Sequence, residues 1–136
     1  MTEQRSITAL VVSLIGGTLL LACLVTFPHL SHAYTDADAV QGKQLFEKRC
    51  TGCHSLDQNK EGPRLRGVYG RSVGKVSGFD YSVALRSSQL IWDDASLERW
   101  LSNPDSFIAD NDMAFHVSKP DERAAIIRYL KTLSVN

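Results

Sequence analysis

The chain has 136 residues, of which 43% are hydrophobic and 22% charged, with 15 acidic and 15 basic side chains. That length accommodates one small domain plus an appendage. The balanced charge implies neither nucleic-acid binding nor a strongly basic docking face.

The appendage comes first. Residues 7–27, ITALVVSLIGGTLLLACLVTF, carry no charge, with Arg5 just upstream and Pro28 ending the run. Ser31-His32-Ala33 then places small residues at the −3 and −1 positions of an export cleavage site, ahead of polar Tyr34-Thr35-Asp36. We read residues 1–33 as a signal peptide cut after Ala33 and residues 34–136 as the working domain. Two alternatives stand beside this. The run has about the 20 residues that span a bilayer, so it also suits an uncleaved anchor facing the periplasm. Leu21-Ala22-Cys23 faintly resembles a lipoprotein site. All three place residues 34–136 in the periplasm or another exported space.

Glu3 and Arg5 are the only Asp, Glu, Lys or Arg residues before residue 34, so the remainder is also near neutral. A domain this short buries a limited fraction of its surface and usually needs a staple. Once the signal takes Cys23 with it, only Cys50 and Cys53 remain.

Thr35-x-x-Asp38 is a capping start, and DAVQGKQLFEKR after it holds no proline and sets Gly42 and Phe46 one turn apart. The pattern predicts a helix of about three turns running into Cys50-Thr51-Gly52-Cys53-His54. That CxxCH spacing admits covalent haem attachment, half of a zinc site, or a redox dithiol. Zinc needs a second Cys or His pair, and Ser55 to Asp80 supplies none. A thioredoxin-like dithiol follows a strand in an α/β pattern, and no strand pattern is present. Haem gives every residue of the motif a role, since two thiols form thioethers with the vinyl groups and the adjacent imidazole reaches the iron. Covalent haem is also the missing staple.

Gly62, Gly67, Gly70, Gly74 and Gly78, with Pro63, predict a long coil. Such a coil in a small domain requires something large to hold it. Asp93 then caps a helix through Asn103, with Leu97, Trp100 and Leu101 on one face and Pro104 as its stop. DSFIADNDMAFHVSK reads as a second loop. A last helix from about Pro120 to Leu133 buries Ile126, Ile127, Tyr129, Leu130 and Leu133.

These stretches, in this order, carry a resemblance. Gly42-x-x-x-Phe46, the CxxCH, Gly62-Pro63 through Gly70-Arg71, Gly78-Phe79-Asp80-Tyr81, Ile91-Trp92, Trp100-Leu101-Ser102-Asn103-Pro104, Met113-Ala114-Phe115 and Ile126-Ile127-Arg128-Tyr129-Leu130 make residues 37–134 similar to class I cytochromes c of the mitochondrial or bacterial short-chain type. The resemblance implies an all-α cytochrome c fold: three main helices plus long loops around one haem c, covalent through Cys50 and Cys53. Gly42 and Phe46 are expected to pack on Ile126 and Tyr129. It implies His54 as one iron ligand, its other ring nitrogen bonded to the Pro63 carbonyl. Met113 is the implied second ligand, a soft thioether that raises the potential, with His116 as rival. Tyr81, Trp92 and Arg71 are implied partners of a buried haem propionate, against the plainer readings of core aromatics and a solvated loop charge. Phe115 resembles the aromatic at the exposed haem edge.

The chain also departs from that pattern. Where the family usually has Pro-Gly-Thr-Lys before its methionine, this sequence has Ala109-Asp110-Asn111-Asp112. Asp105, Asp110 and Asp112 stand where mitochondrial relatives carry docking lysines. Trp100 replaces a tyrosine near the methionine sulfur, and Leu85 replaces a polar residue near the propionate. With both axial positions filled, the expected function is a one-electron shuttle between redox protein partners of the reductase or dehydrogenase and oxidase types, in a respiratory or similar chain. The expected state is a monomer that binds no nucleic acid, either free or tethered through residues 7–27; a tethered form also suits a subunit of a larger complex. The alternative is a haem enzyme or gas-binding protein from whose iron Met113 dissociates.

Overall fold

The structure, a computed structural model, describes residues 36–134. The segment read as an export signal and the Thr35 cap lie outside these residues. Among the described residues five helices follow in order: α1 Asp36–Arg49, α2 Val83–Ser87, α3 Asp94–Ser102, α4 Pro104–Phe107 and α5 Pro120–Thr132. None is long and apolar enough to cross a membrane. The described residues contain no strand, and their β pairing is one antiparallel bridge, Ser72 to Ile91.

The all-α expectation holds, and three of the helices are the main ones predicted. α1 has 14 residues, about four turns rather than three at 3.6 residues per turn. Nothing in its sequence breaks it earlier, and Lys48 and Arg49 in its last turn complement the negative end of the helix dipole. α5 opens on Pro120, whose missing N–H costs nothing at the first position, with Asp121 and Glu122 in its first turn.

α1 and α5 form the most extensive helix contact. The reason is Gly42. A side-chain carbon there would overlap the Ala125 carbonyl oxygen and stand 2.8 Å from the Tyr129 Cβ. The two backbones therefore approach as no other residue allows, at a helix-propensity cost of about 1 kcal/mol. One turn on, the Phe46 and Tyr129 rings meet with centroids 5.5 Å apart. Gly42 and Phe46 thus both meet Tyr129, as expected, Gly42 also lies against the Ala125 carbonyl, and Ile126 is fully buried in the core. The reason is helix phase: 125 and 129 share a row, and 126 points beside it.

α3 begins where Asp93 predicts, through a capping box. The Ser96 N–H donates to Asp93 Oδ1 at 2.7 Å, and the Asp93 N–H donates to Ser96 Oγ at 2.7 Å. Its buried face is Leu97, Trp100 and Leu101. Pro104 stops it and also starts α4, with Asn103 as the cap accepting from the Ser106 N–H at 3.1 Å. The loop expected after Pro104 therefore contains a helical turn. α2 was likewise unexpected, a single turn capped by Ser82 and anchored by buried Leu85.

The predicted coil is real. Gly67, Gly70, Gly74 and Gly78 take positive φ, and the coil is clasped to residues 90–92 by bonds from Gly70 N to Trp92 O and from Val73 N to Leu90 O.

Candidate functional site

α1 delivers the CxxCH segment without a break. The Cys50 N–H continues the helix to the Phe46 carbonyl at 2.8 Å, and the His54 N–H turns back to Cys50 O at 2.8 Å. Cys50 is half-buried and Cys53 exposed. Burial pushes the Cys50 thiol up to about 11, although the neighbouring Arg49 charge pulls the other way. A thiol held so high is a poor thiolate, which argues against a redox dithiol. Among the described residues no group of three or more His, Cys, Asp or Glu side chains gathers as a metal cage.

The His54 ring is fixed on two sides. Its Nδ1 lies 2.8 Å from the Pro63 carbonyl oxygen. A carbonyl only accepts, so Nδ1 carries the proton and Nε2 keeps its lone pair, the arrangement a metal-ligating imidazole requires. A side-chain carbon at Gly62 would overlap Cε1 of the ring and stand 2.6 Å from Nδ1, so only glycine leaves the imidazole room. Burial holds His54 below the ordinary histidine value, outweighing the Pro63 bond, so the neutral ring is favoured. The turn that presents Gly62 and Pro63 is closed by bonds from Gly62 N to Cys53 O and from Leu65 N to Ser55 O. Two thiols and one neutral imidazole with a free Nε2 fit haem c.

Arg71 lies beside both Tyr81 and Trp92. The Trp92 N–H donates to the Arg71 carbonyl at 3.0 Å, and the Arg71 charge acts on Tyr81. Tyr81 and Trp92 are buried. Burial raises the Tyr81 phenol and lowers the Arg71 guanidinium, each in the direction of its neutral form. Arg71 is half-buried and donates to the carbonyls of Arg64 at 3.0 Å and Arg66 at 3.3 Å. Tyr81 also meets Phe79 edge-on, and Trp92 leans on Trp100 with ring centroids 5.4 Å apart.

Met113 reaches the core from a separate segment, half-buried against the hydrophobic cluster. Phe115 is 40% exposed, and His116 is exposed.

Ion pairs that the sequence reading did not foresee include two that tie helices together. Arg49, one residue before Cys50, pairs with Glu122 in the first turn of α5. Arg123 is 7% exposed and donates to Glu98 on α3 at 2.7 Å and to the Val117 and Ser118 carbonyls at 2.7 and 3.0 Å. The signal for Arg123 was its register: it lies three, four and seven residues before Ile126, Ile127 and Leu130, on the buried stripe itself.

Comparison with known proteins agrees with this geometry. The family profile for cytochrome c matches residues 39–134. Cytochrome c of Euglena viridis is 43% identical over 99 residues, covering 71% of this chain and 97% of that protein. Cytochrome c 2.1 of Caenorhabditis elegans is 41% identical over 100 residues, covering 71% and 90%. Among solved structures, cytochrome cH from Methylobacterium extorquens matches with a TM-score of 0.66 and 39% identity, over 70% of this chain and 98% of that one. With the attachment segment, the fixed imidazole and the α1–α5 crossing in place, the chain belongs to the cytochrome c family, as a haem-binding electron-transfer protein that carries one haem c bound covalently through Cys50 and Cys53.

Proposed function

We propose that the protein is an exported single-haem electron carrier, with His54 and Met113 as the two iron ligands, shuttling one electron at a time between redox protein partners. The observation that carries this is the His54 arrangement, in which Nδ1 is bonded to Pro63 and Nε2 is left as the only ring lone pair. When bound, haem c supplies a one-electron ferric/ferrous couple. Around it the chain's own residues have separable roles. Pro63 and Gly62 hold the imidazole plane, Met113 supplies a soft thioether, and Tyr81, Trp92 and Arg71 offer donors and a positive charge to a buried propionate, which is costly without them. Phe115 stands at the exposed edge. The export reading rests on residues 7–33 and their small-residue cleavage pattern.

The test uses the full chain matured in a host with haem-ligation machinery. Its reduced spectrum should be low-spin and unchanged by carbon monoxide, and the mass of its N-terminus should correspond to cleavage after Ala33. A carbon monoxide adduct formed by the native protein would overturn the carrier reading in favour of the haem-enzyme or gas-binding alternative. An intact or lipidated N-terminus would make it a tethered carrier.

The partners are redox proteins, and their electrostatics are where this chain parts from its relatives. Residues 103–118 contain Asp105, Asp110 and Asp112, all exposed, and no Lys or Arg. We infer a neutral to acidic docking face around Met113, suited to a partner with a neutral or basic site. Association with an acid-lined oxidase should be slow and only weakly salt-dependent, since steering requires opposite fields. Asp112→Lys with Asp110→Asn should raise that rate about tenfold at low salt. Stopped-flow rates against ionic strength check this. A native protein that already reacts fast, with a rate falling steeply as salt rises, would show the inference to be wrong.

A further inference from the structure

The short segment between α4 and Met113 is built around one amide. Asn111 is half-buried, and its side chain uses both ends. Oδ1 accepts from the Met113 backbone N–H at 2.8 Å. Nδ2 donates to Asp105 Oδ1 at 2.9 Å and to the Ile108 carbonyl at 2.9 Å. Asp105 belongs to α4, a turn fixed by buried Pro104 and by Phe107 and Ile108 packed against the core. An unbroken chain of contacts therefore runs from the core through α4 and Asn111 to the backbone of Met113.

The segment needs such a hold. Asp110 has φ +58°, and among the described residues no other non-glycine residue takes a positive φ. Aspartate tolerates this region better than most side chains, yet it remains a strained conformation that persists only when surrounding contacts over-determine it. The Asn111 bonds flank the strained residue on both sides.

We propose that Asn111 is the positioning residue for Met113: its side-chain amide, anchored by Asp105, holds the strained turn closed and keeps the thioether at the iron. This rests on the reading of Met113 as a ligand. The closed state competes with an open one in which Met113 has left, and an external ligand binds only the open state. Its apparent affinity therefore reports the open fraction directly.

The experiment measures imidazole binding to the ferric holoprotein by optical titration, with thermal unfolding of each variant alongside. Asn111→Ala should bind imidazole about tenfold more tightly than the parent, the scale of losing one net hydrogen bond to a charged or backbone partner, with an unfolding midpoint lower by roughly 4–8 °C, the shift the same loss gives in a domain of this size. Asn111→Asp should also be loose, because it sets a second carboxylate against Asp105. Combining Asp105→Asn with Asn111→Asp reverses donor and acceptor between residues 105 and 111 at constant net charge and keeps an acceptor for the Met113 N–H, but removes the donor to the Ile108 carbonyl, so imidazole should bind less tightly than to Asn111→Asp alone without returning fully to the parent affinity. Met113→Ala is measured as the reference for a fully open site. Parent-like affinity in Asn111→Ala beside tight binding in Met113→Ala overturns the Asn111 assignment alone. A combined variant as loose as Asn111→Asp alone also overturns it. Parent-like affinity in Met113→Ala removes the ligand reading, and the proposal with it.

Discussion

Replacing both attachment thiols, Cys50→Ser with Cys53→Ser, is expected to yield a colourless and largely unfolded chain. The loss follows from how little of residues 50–82 is held by regular structure. No helix or strand spans that coil, and its one β contact is the bridge from Ser72 to Ile91. A coil of this length in a domain this small does not repay its ordering entropy from its own hydrogen bonds. Several buried side chains belong to it, among them Val68, Val73, Val76 and Tyr81. Each is worth about 1.5–3 kcal/mol if its apolar side is fully covered, so losing the covalent group exposes several such contributions at once against a total stability of roughly 5–15 kcal/mol. The α1–α5 crossing at Gly42 is local to two helices and is expected to survive only as residual helicity. Far-UV circular dichroism and a haem spectrum of the variant check this, and acid-acetone extraction of the native protein should leave the pigment on the chain. A double variant that is colourless yet folds cooperatively would show that haem is not the staple.

Legibility in the sequence followed periodicity and special residues. α1, α3 and α5 could be read because each carries a cap, a proline or a buried stripe of several turns. α2 and α4 could not, because helices of five and four residues are too short to show a period, and their caps, Ser82 and Asn103, look like ordinary loop residues. Pro104 illustrates the ambiguity: the same ring that ends one helix suits the first position of the next. At the site, the CxxCH segment was legible because its chemistry leaves few alternatives, and the Pro63 role was legible only through the resemblance to class I cytochromes c. Gly62 was legible only as a coil marker, since its contact with the His54 ring is made across a turn that sequence spacing does not specify. The role of Asn111 was hidden for a related reason: an Asn between two Asp residues reads as a polar loop, and only the folded structure shows that both ends of its amide are engaged. Arg123 was not singled out in the sequence, although its register places it on the buried stripe among isoleucines.

Met113→Ala is the second large effect. If the thioether is the iron's second ligand, its removal should abolish the weak far-red ferric band that a thioether–iron bond gives, lower the reduction potential, and admit carbon monoxide to the reduced protein. The fall in potential should be a few tenths of a volt, within the roughly 0.8 V over which axial ligands tune haem, because a soft sulfur that favours ferrous iron is exchanged for water or a harder donor. Stability should fall as well. Met113 is half-buried against the core cluster, and truncating a buried methionine to alanine costs about 2–5 kcal/mol, the lower end applying to a side chain that is only partly covered. The two losses have different signatures, which separates ligation from packing. Met113→Leu restores apolar volume without sulfur, so it should recover much of the thermal stability while leaving the far-red band absent and the potential low. His116 is exposed three residues on, and His116→Ala should leave band, potential and stability at their native values. A band that persists in Met113→Ala and disappears in His116→Ala would transfer the ligand to the histidine, and the Asn111 clamp would then hold a loop with no ligand to position.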